Sequence, residues 1–276
     1  VQAVWGGEIR NANISQNSMD GIYALNRKVK IENTQVFNNG NYGIHLVNVP
    51  VASLIANSTI QNNGFNLSTN YSGVWIGLRS TVGLINDTIS DNALHGIDIQ
   101  KGGYAYGINN VAIESCKIIN NSFHGIENLY SITNVSNSEI TGNGKTSAYG
   151  NGINLTKNSI FMAVNTTISN NYANGLASDG FSNFTLIDSD IVGNGCNGIY
   201  STEPNNMYYA GTRVDNGTTR IAYIAFGFEG INELADRDLL MNKTIWWLNP
   251  SLSSNVLLVD DDSPDPWGGI ATYETY

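Results

Sequence analysis

Residues 84–99 read Leu-Ile-Asn-Asp-Thr-Ile-Ser-Asp-Asn-Ala-Leu-His-Gly-Ile-Asp-Ile. Leu84 and Ile89 stand five apart, Asn92 follows Ile89 by three, and Gly96-Ile97 closes the unit. The same unit recurs along the chain. An aliphatic residue followed three positions later by Asn appears as Ile14/Asn17, Val36/Asn39, Ile60/Asn63, Ile89/Asn92, Ile118/Asn121, Ile140/Asn143, Ile168/Asn171 and Ile191/Asn194. Each pair is followed by Gly and a large aliphatic: Gly21-Ile22, Gly43-Ile44, Gly73-Val74, Gly96-Ile97, Gly125-Ile126, Gly152-Ile153, Gly175-Leu176 and Gly198-Ile199. Successive glycines of this set lie 22 to 30 residues apart. A further apolar column precedes the first by five: Ile9, Ile31, Ile55, Leu84, Ile113, Val135, Ala163 and Leu186. Ala163 is small, so the seventh unit should pack less tightly there.

One unit holds only short strands and cannot bury its own aliphatic residues. Stacking the units buries every column at once and pairs each backbone edge with the next. The expected spacing between coils is ~4.8 Å. The sequence therefore predicts an all-β fold of about eight stacked coils over residues 1–203, with a small α/β extension or cap over 204–276. Length variation is expected in turns such as 65–72 and 102–110.

Composition agrees. The chain has 276 residues, 41% of them hydrophobic, which is enough for a large core. Asn occurs 41 times, a poor helix former that suits turns and left-handed backbone. A formal charge of −10 with only 13 Lys and Arg argues against nucleic acid as a partner. No apolar run is long enough for a membrane-spanning helix. No secretory leader opens the sequence, which reads as a mature form or a fragment.

Three positions before the aligned aliphatic residue stand Asn11, Asn33, Asn57, Asn86, Asn137 and Asn165, with Ser115 and Asp188 completing the column. Six Asn in register at a bend suggest a side-chain ladder between coils, with unusual backbone at each step.

This pattern resembles the right-handed parallel β-helix of the pectate-lyase-like superfamily, and especially its short Asn…Gly-Ile repeat branch. The resemblance runs over roughly residues 5–202. It implies the fold, but not one function, because such folds include lyases, hydrolases, adhesins and structural proteins. The tail carries a second resemblance. Residues 221–248 look like the last strand and helix of a Rossmann-like module of archaeal and bacterial surface proteins, and residues 255–276 like the start of another. The residues themselves suggest a strand at about 220–228, a helix at about 232–248 and a strand at about 255–259. A plain terminal cap is the simpler reading of the same segment.

Strand alternation assigns faces. After each Gly the first residue points in and the second out. The outward column reads Tyr23, His45, Trp75, Asp98, Glu127, Asn154, Ala177, Tyr200. Tyr23, His45, Trp75, Asp98 and Glu127 form a candidate carbohydrate-binding face of aromatic rings and carboxylates. Asp98 and Glu127, with Arg79 or Lys101, are candidate catalytic residues for a lyase or glycoside hydrolase. His95 and His124 precede Gly on the same two coils and are weak candidates for metal ligands; a structural role is the simpler reading. The superfamily's adjacent-coil Asp sets, paired Asp and Gly-His-Gly motifs are missing, with His95-Gly96 and His124-Gly125 the nearest echoes. No cofactor is expected, although the run Asp260–Asp262 could take Ca²⁺.

Twelve Asn-x-Ser/Thr sequons occur. Asn66, Asn70, Asn134, Asn183, Asn216 and Asn242 are the candidate glycosylation sites. Asn57, Asn86 and Asn165 should be bare if their column faces inward. Cys116 and Cys196 fall three coils apart, ~14 Å, too far for a disulfide. The leading expectation is a non-enzymatic extracellular surface protein, such as a surface-layer, filament or adhesin component. Its expected partners are carbohydrate or further copies of itself in a homopolymer. A polysaccharide-active enzyme is the alternative.

Overall fold

The computed structural model describes residues 2–3, 7–65, 70–100, 107–145, 149–179, 181–202, 211–215 and 220–224. These form a parallel β-solenoid of eight coils, with no helix among the described residues. The coil of the opening stretch shows the plan: Thr81–Ile85, Thr88–Ser90 and Ile97–Gln100 are its three strands. Each lies in a different sheet. The Gly-Ile strands stack into a nine-stranded front sheet, the longer strands into a ten-stranded back sheet, and the short central strands into an eight-stranded side sheet. Pairing is parallel from coil to coil. Gly211–Asp215 extends the back sheet, and Arg220–Ile224 pairs with it antiparallel. The rest of the expected tail, including the helix at 232–248, the strand at 255–259 and Asp260–Asp262, lies outside the described residues.

The register follows the sequence columns. Ile60, Ile89 and Ile118 are direct strand partners, as are Ile55, Leu84 and Ile113. These side chains are fully buried or nearly so. Beside small Ala163, the largest buried side chain, Phe161, stands two residues earlier and so faces the same interior.

The Asn that follows each aligned aliphatic residue by three forms the inner ladder. Asn17, Asn39, Asn63, Asn92, Asn121, Asn143, Asn171 and Asn194 are joined by seven Nδ2-to-Oδ1 bonds of 2.8 to 3.1 Å. From Asn39 onward each Oδ1 also accepts the backbone N–H of the preceding Asn, as Asn121 does from Asn92 at 3.1 Å. The recurring Gly beside it is required by space rather than by φ. A Cβ on Gly125 would lie 2.6 Å from the Gly152 carbonyl oxygen and 2.8 Å from Asn143 Nδ2.

The other Asn column corrects the sequence reading. All eight of its positions have φ between 47° and 55°. That left-handed corner throws the side chain outward. Asn57, Asn86 and Asn165 are therefore exposed, not bare inward positions. Their column still bonds between coils, from Asn86 to Asn57 and from Asn165 to Asn137, each at 2.8 Å.

Thr133, Ser178 and Asn128 break the apolar rule at inward positions, and Asn128 carries the largest polar group. Asn128 is fully buried, pairs with Ile99 and Leu155 in the front sheet, and has neither amide atom hydrogen-bonded. A buried orphan polar group costs about 1–3 kcal/mol, and an apolar side chain of similar shape removes that cost. Asn128→Leu should stabilise the protein by about 2 kcal/mol, read as a higher urea midpoint. An unchanged or lower midpoint would show that the amide is satisfied in solution.

Candidate functional site

The outward column of the front sheet is continuous. Tyr23 pairs with His45, His45 with Trp75, Trp75 with Asp98, Asp98 with Glu127, and Glu127 with Asn154. One turn earlier, the residues before each Gly build a second column: Asp20, Tyr42, Ser72, His95, His124, Asn151, Asn174 and Asn197. The two columns meet along one edge of the face and divide it into two parts.

Coils one to three carry the aromatic part. His45 is contacted edge-on by Tyr23 at 5.0 Å and by Trp75 at 4.8 Å, and obliquely by Tyr42 at 4.7 Å. Tyr42 also meets Tyr71 edge-on at 4.9 Å. Tyr23, Tyr42, His45 and Tyr71 line an open cleft of about 510 Å³, together with Met19, Asp20 and Asn41. His45 Nδ1 lies 3.0 Å from Asp20 Oδ2, while Asp20 Oδ1 accepts the Tyr42 N–H at 3.2 Å. Burial, with the negative charges of Asp98 and Asp20 among the lesser causes, pushes the Tyr42 phenol up to about 12. Tyr42, Tyr71 and Asp20 were not among the residues expected from the outward column. Tyr42 and Asp20 belong to the turn column before Gly, which alternation within the strand does not reach.

Coils four and five carry the acidic part. Asp98 and Glu127 stand in the outward column, yet Asp98 is only 5% exposed and the Glu127 side chain 12%. On the turn-column side, His124 Nε2 lies 3.6 Å from Glu127 Oε2. Burial raises the Asp98 carboxyl to about 6 against the bond from Gln100 Nε2, and raises Glu127 to about 7 against its bond from Asn154 Nδ2. Burial lowers His124 to about 3 and His95 well below the usual imidazole range. Both rings are therefore neutral at pH 7, stacked at 5.1 Å between centroids.

His95, His124 and Glu127 place potential ligand atoms within 4.8 Å of one another. The tautomer of His124 opposes a metal there. Its Nδ1 accepts the Asn151 N–H at 2.9 Å, as the amide oxygens do further along the same column. The neutral ring therefore carries its proton on Nε2, which faces Glu127 Oε2 at 3.6 Å. A cation at Nε2 would meet an N–H rather than a lone pair. The group suits a donor-acceptor pair better than a coordination site.

The profile of right handed β-helix regions matches residues 2–159, more than half of the chain. The chain belongs to the right-handed β-helix family. No curated protein matches the sequence. Among solved structures, the A-module of mannuronan C-5 epimerase AlgE4 from Azotobacter vinelandii is similar at TM-score 0.55 and 18% identity, over 73% of this chain and 58% of that one. Tailspike protein 2 of the Escherichia coli O157:H7 bacteriophage CAB120 is similar at TM-score 0.52 and 9% identity, over 73% of this chain and 32% of that one. The likeness is one of fold, and the chain spans less than two thirds of either structure.

On this β-helix the remaining expected site residues scatter. Arg79 is exposed at a left-handed turn after the Trp75 strand, with its stem against Gly107 and no ion pair among the described residues. Lys101 lies outside the described residues. Of the candidate sequons, Asn70, Asn134 and Asn183 are exposed, while Asn66, Asn216 and Asn242 lie outside the described residues. Cys116 is buried and Cys196 exposed, both as free thiols.

Proposed function

We propose that the front sheet is a carbohydrate-binding face, and that the protein is a non-enzymatic, extracellular surface component. The observation that carries this is the continuous run from the ring-lined cleft of coils one to three into the carboxylates of coils four and five. Sugars are held by aromatic rings against their C–H faces and by amides and carboxylates on their hydroxyls, and this face offers both in one line. A parallel stack with its polar ladder saturated suits a rigid, exposed support. Glycosylation at Asn70, Asn134 or Asn183, assembly into filaments and surface-layer membership belong to the same proposal.

Affinity electrophoresis of the full chain in neutral, amino-sugar and uronate polysaccharide gels tests it. The parent should be retarded in at least one gel. Trp75→Ala and Tyr42→Ala should each weaken that retardation at least tenfold, the loss of roughly 1.4 kcal/mol of binding. Retardation in no gel would overturn the proposal.

One observation favours an enzyme as the second reading. Asp98 and Glu127 sit on adjacent strands, ~5 Å apart at the backbone, with carboxyls raised to about 6 and about 7. A raised carboxyl is what a general acid needs. Under this reading the parent releases shortened or modified glycan, and Asp98→Asn and Glu127→Gln each stop it.

A further inference from the structure

The aromatic end of the face is built differently from a flat sugar platform. Tyr23 meets His45 at 72°, Tyr42 meets Tyr71 at 78°, and His45 meets Trp75 at 80°. Rings at such angles cannot lie along one plane of a pyranose. Tyr23, Tyr42, His45 and Tyr71 instead line an open cleft together with Asp20. The Asp20 side chain is only 14% exposed, yet its partners are a histidine ring and a backbone N–H rather than a Lys or Arg. No Lys or Arg stands in either column of this face, from Asp20 to Asn197 or from Tyr23 to Tyr200. Met19, exposed at the rim, adds a polarisable sulfur.

Electron-rich ring faces around a carboxylate attract one class of group above others, a weakly hydrated organic cation. A carboxylate-bearing sugar would meet Asp20 there, with no Lys or Arg in either column to neutralise it. We propose that the Tyr23–Tyr42–Tyr71–His45–Asp20 cleft binds the ammonium group of an amino sugar, so that the glycan recognised is a polymer with free amino groups. This rests on the carbohydrate reading above and narrows it to one chemical class. The cleft's 510 Å³ is of the size that accepts one sugar residue rather than a long segment. Neighbouring residues of the polymer would then run along Trp75 toward Asp98.

The test is calorimetric titration of the full chain at mildly acidic pH with four probes. These are glucosamine hexamer, N-acetylglucosamine hexamer, a uronate hexamer and tetramethylammonium chloride. The glucosamine hexamer should bind at least tenfold more tightly than its N-acetylated form, and the uronate should bind most weakly. Asp20→Asn keeps the acceptor for the Tyr42 N–H and should erase that preference. Tyr42→Leu should weaken the glucosamine hexamer and tetramethylammonium together, with circular dichroism confirming the fold of each variant. Equal binding of the two hexamers, or preference for the uronate, would overturn the ammonium assignment and leave the carbohydrate reading standing. Binding of tetramethylammonium but of no glycan would support the cation site and overturn the carbohydrate reading. No binding of any probe would overturn both.

Discussion

Asn121→Ala should cost about 4–5 kcal/mol, the largest effect of any single substitution considered for this protein. The Asn121 side chain is fully buried and makes four bonds. Its Oδ1 accepts the Asn92 backbone N–H at 3.1 Å and Asn92 Nδ2 at 3.0 Å. Its Nδ2 donates to the Ile89 carbonyl at 3.2 Å and to Asn143 Oδ1 at 3.0 Å. Alanine removes all four and leaves the Asn92 donors buried without partners, at about 1–3 kcal/mol for each orphaned group. The void adds to the loss. Because each coil touches only its neighbours, the damage should be local. Hydrogen exchange should accelerate in coils four to six well before it does in coils one and two. Asn86→Ala, on the exposed column, should cost only about 1 kcal/mol, mostly for its left-handed backbone. Equal costs at the two positions would overturn the assignment of Asn121 to a buried, continuous ladder.

The second large effect concerns pH. Asp87 is 1% exposed, yet it stands in a column otherwise filled by Thr34, Ser58, Cys116 and Ser138. Its carboxylate accepts the Ser58 N–H at 2.7 Å and the Ile85 N–H at 3.2 Å. Burial outweighs both bonds and raises the carboxyl from 3.8 to about 7. A carboxyl with a raised folded-state value contributes its full stability below the unfolded value and loses it as pH rises through the folded one. Three units correspond to about 4 kcal/mol lost between pH 4 and pH 8. Asp98 and Glu127 shift the same way and add to this contribution, while His95 and His124, held neutral by burial, oppose it as pH falls below the usual imidazole range. Three raised carboxyls against two lowered imidazoles leave the protein melting at a higher temperature near pH 5 than at pH 8, and the Asp87 share of that difference is read from its substitution. Asp87→Ser supplies the hydroxyl that this column uses elsewhere. It should raise the melting temperature at pH 8 and flatten the profile. A parent that loses stability steadily on acidification from pH 8 to pH 5, with the variant following it in parallel, would refute the sign.

The repeat itself was legible in the chain because stacking fixes the pairing of every coil. Ile60, Ile89 and Ile118 had to become neighbours once each unit was recognised as too small to bury its own side chains. The outward column from Tyr23 to Glu127 followed from alternation alone. Which Asn column faced inward did not. Both columns recur with the same period, and only the sign of φ at Asn57, Asn86 and Asn165 turns theirs outward. The cleft was half legible for a similar reason. Tyr23, His45 and Trp75 lie on strands, whereas Asp20 and Tyr42 lie in the turns before Gly, and Tyr71 lies just before the Ser72 turn position. The direction of those side chains depends on how the turns stack.

From sequence alone came the solenoid, its coil count, its apolar interior and the line of residues along its front, all set by periodicity and by the need to bury short strands together. The tertiary structure decided what periodicity leaves open: how deeply Asp98 and Glu127 are buried, which nitrogen of His124 keeps its proton, and that the rings of coils one to three line a cleft. Those outcomes depend on side-chain packing across coils, where distances of a few ångströms and the loss of water set charge and shape.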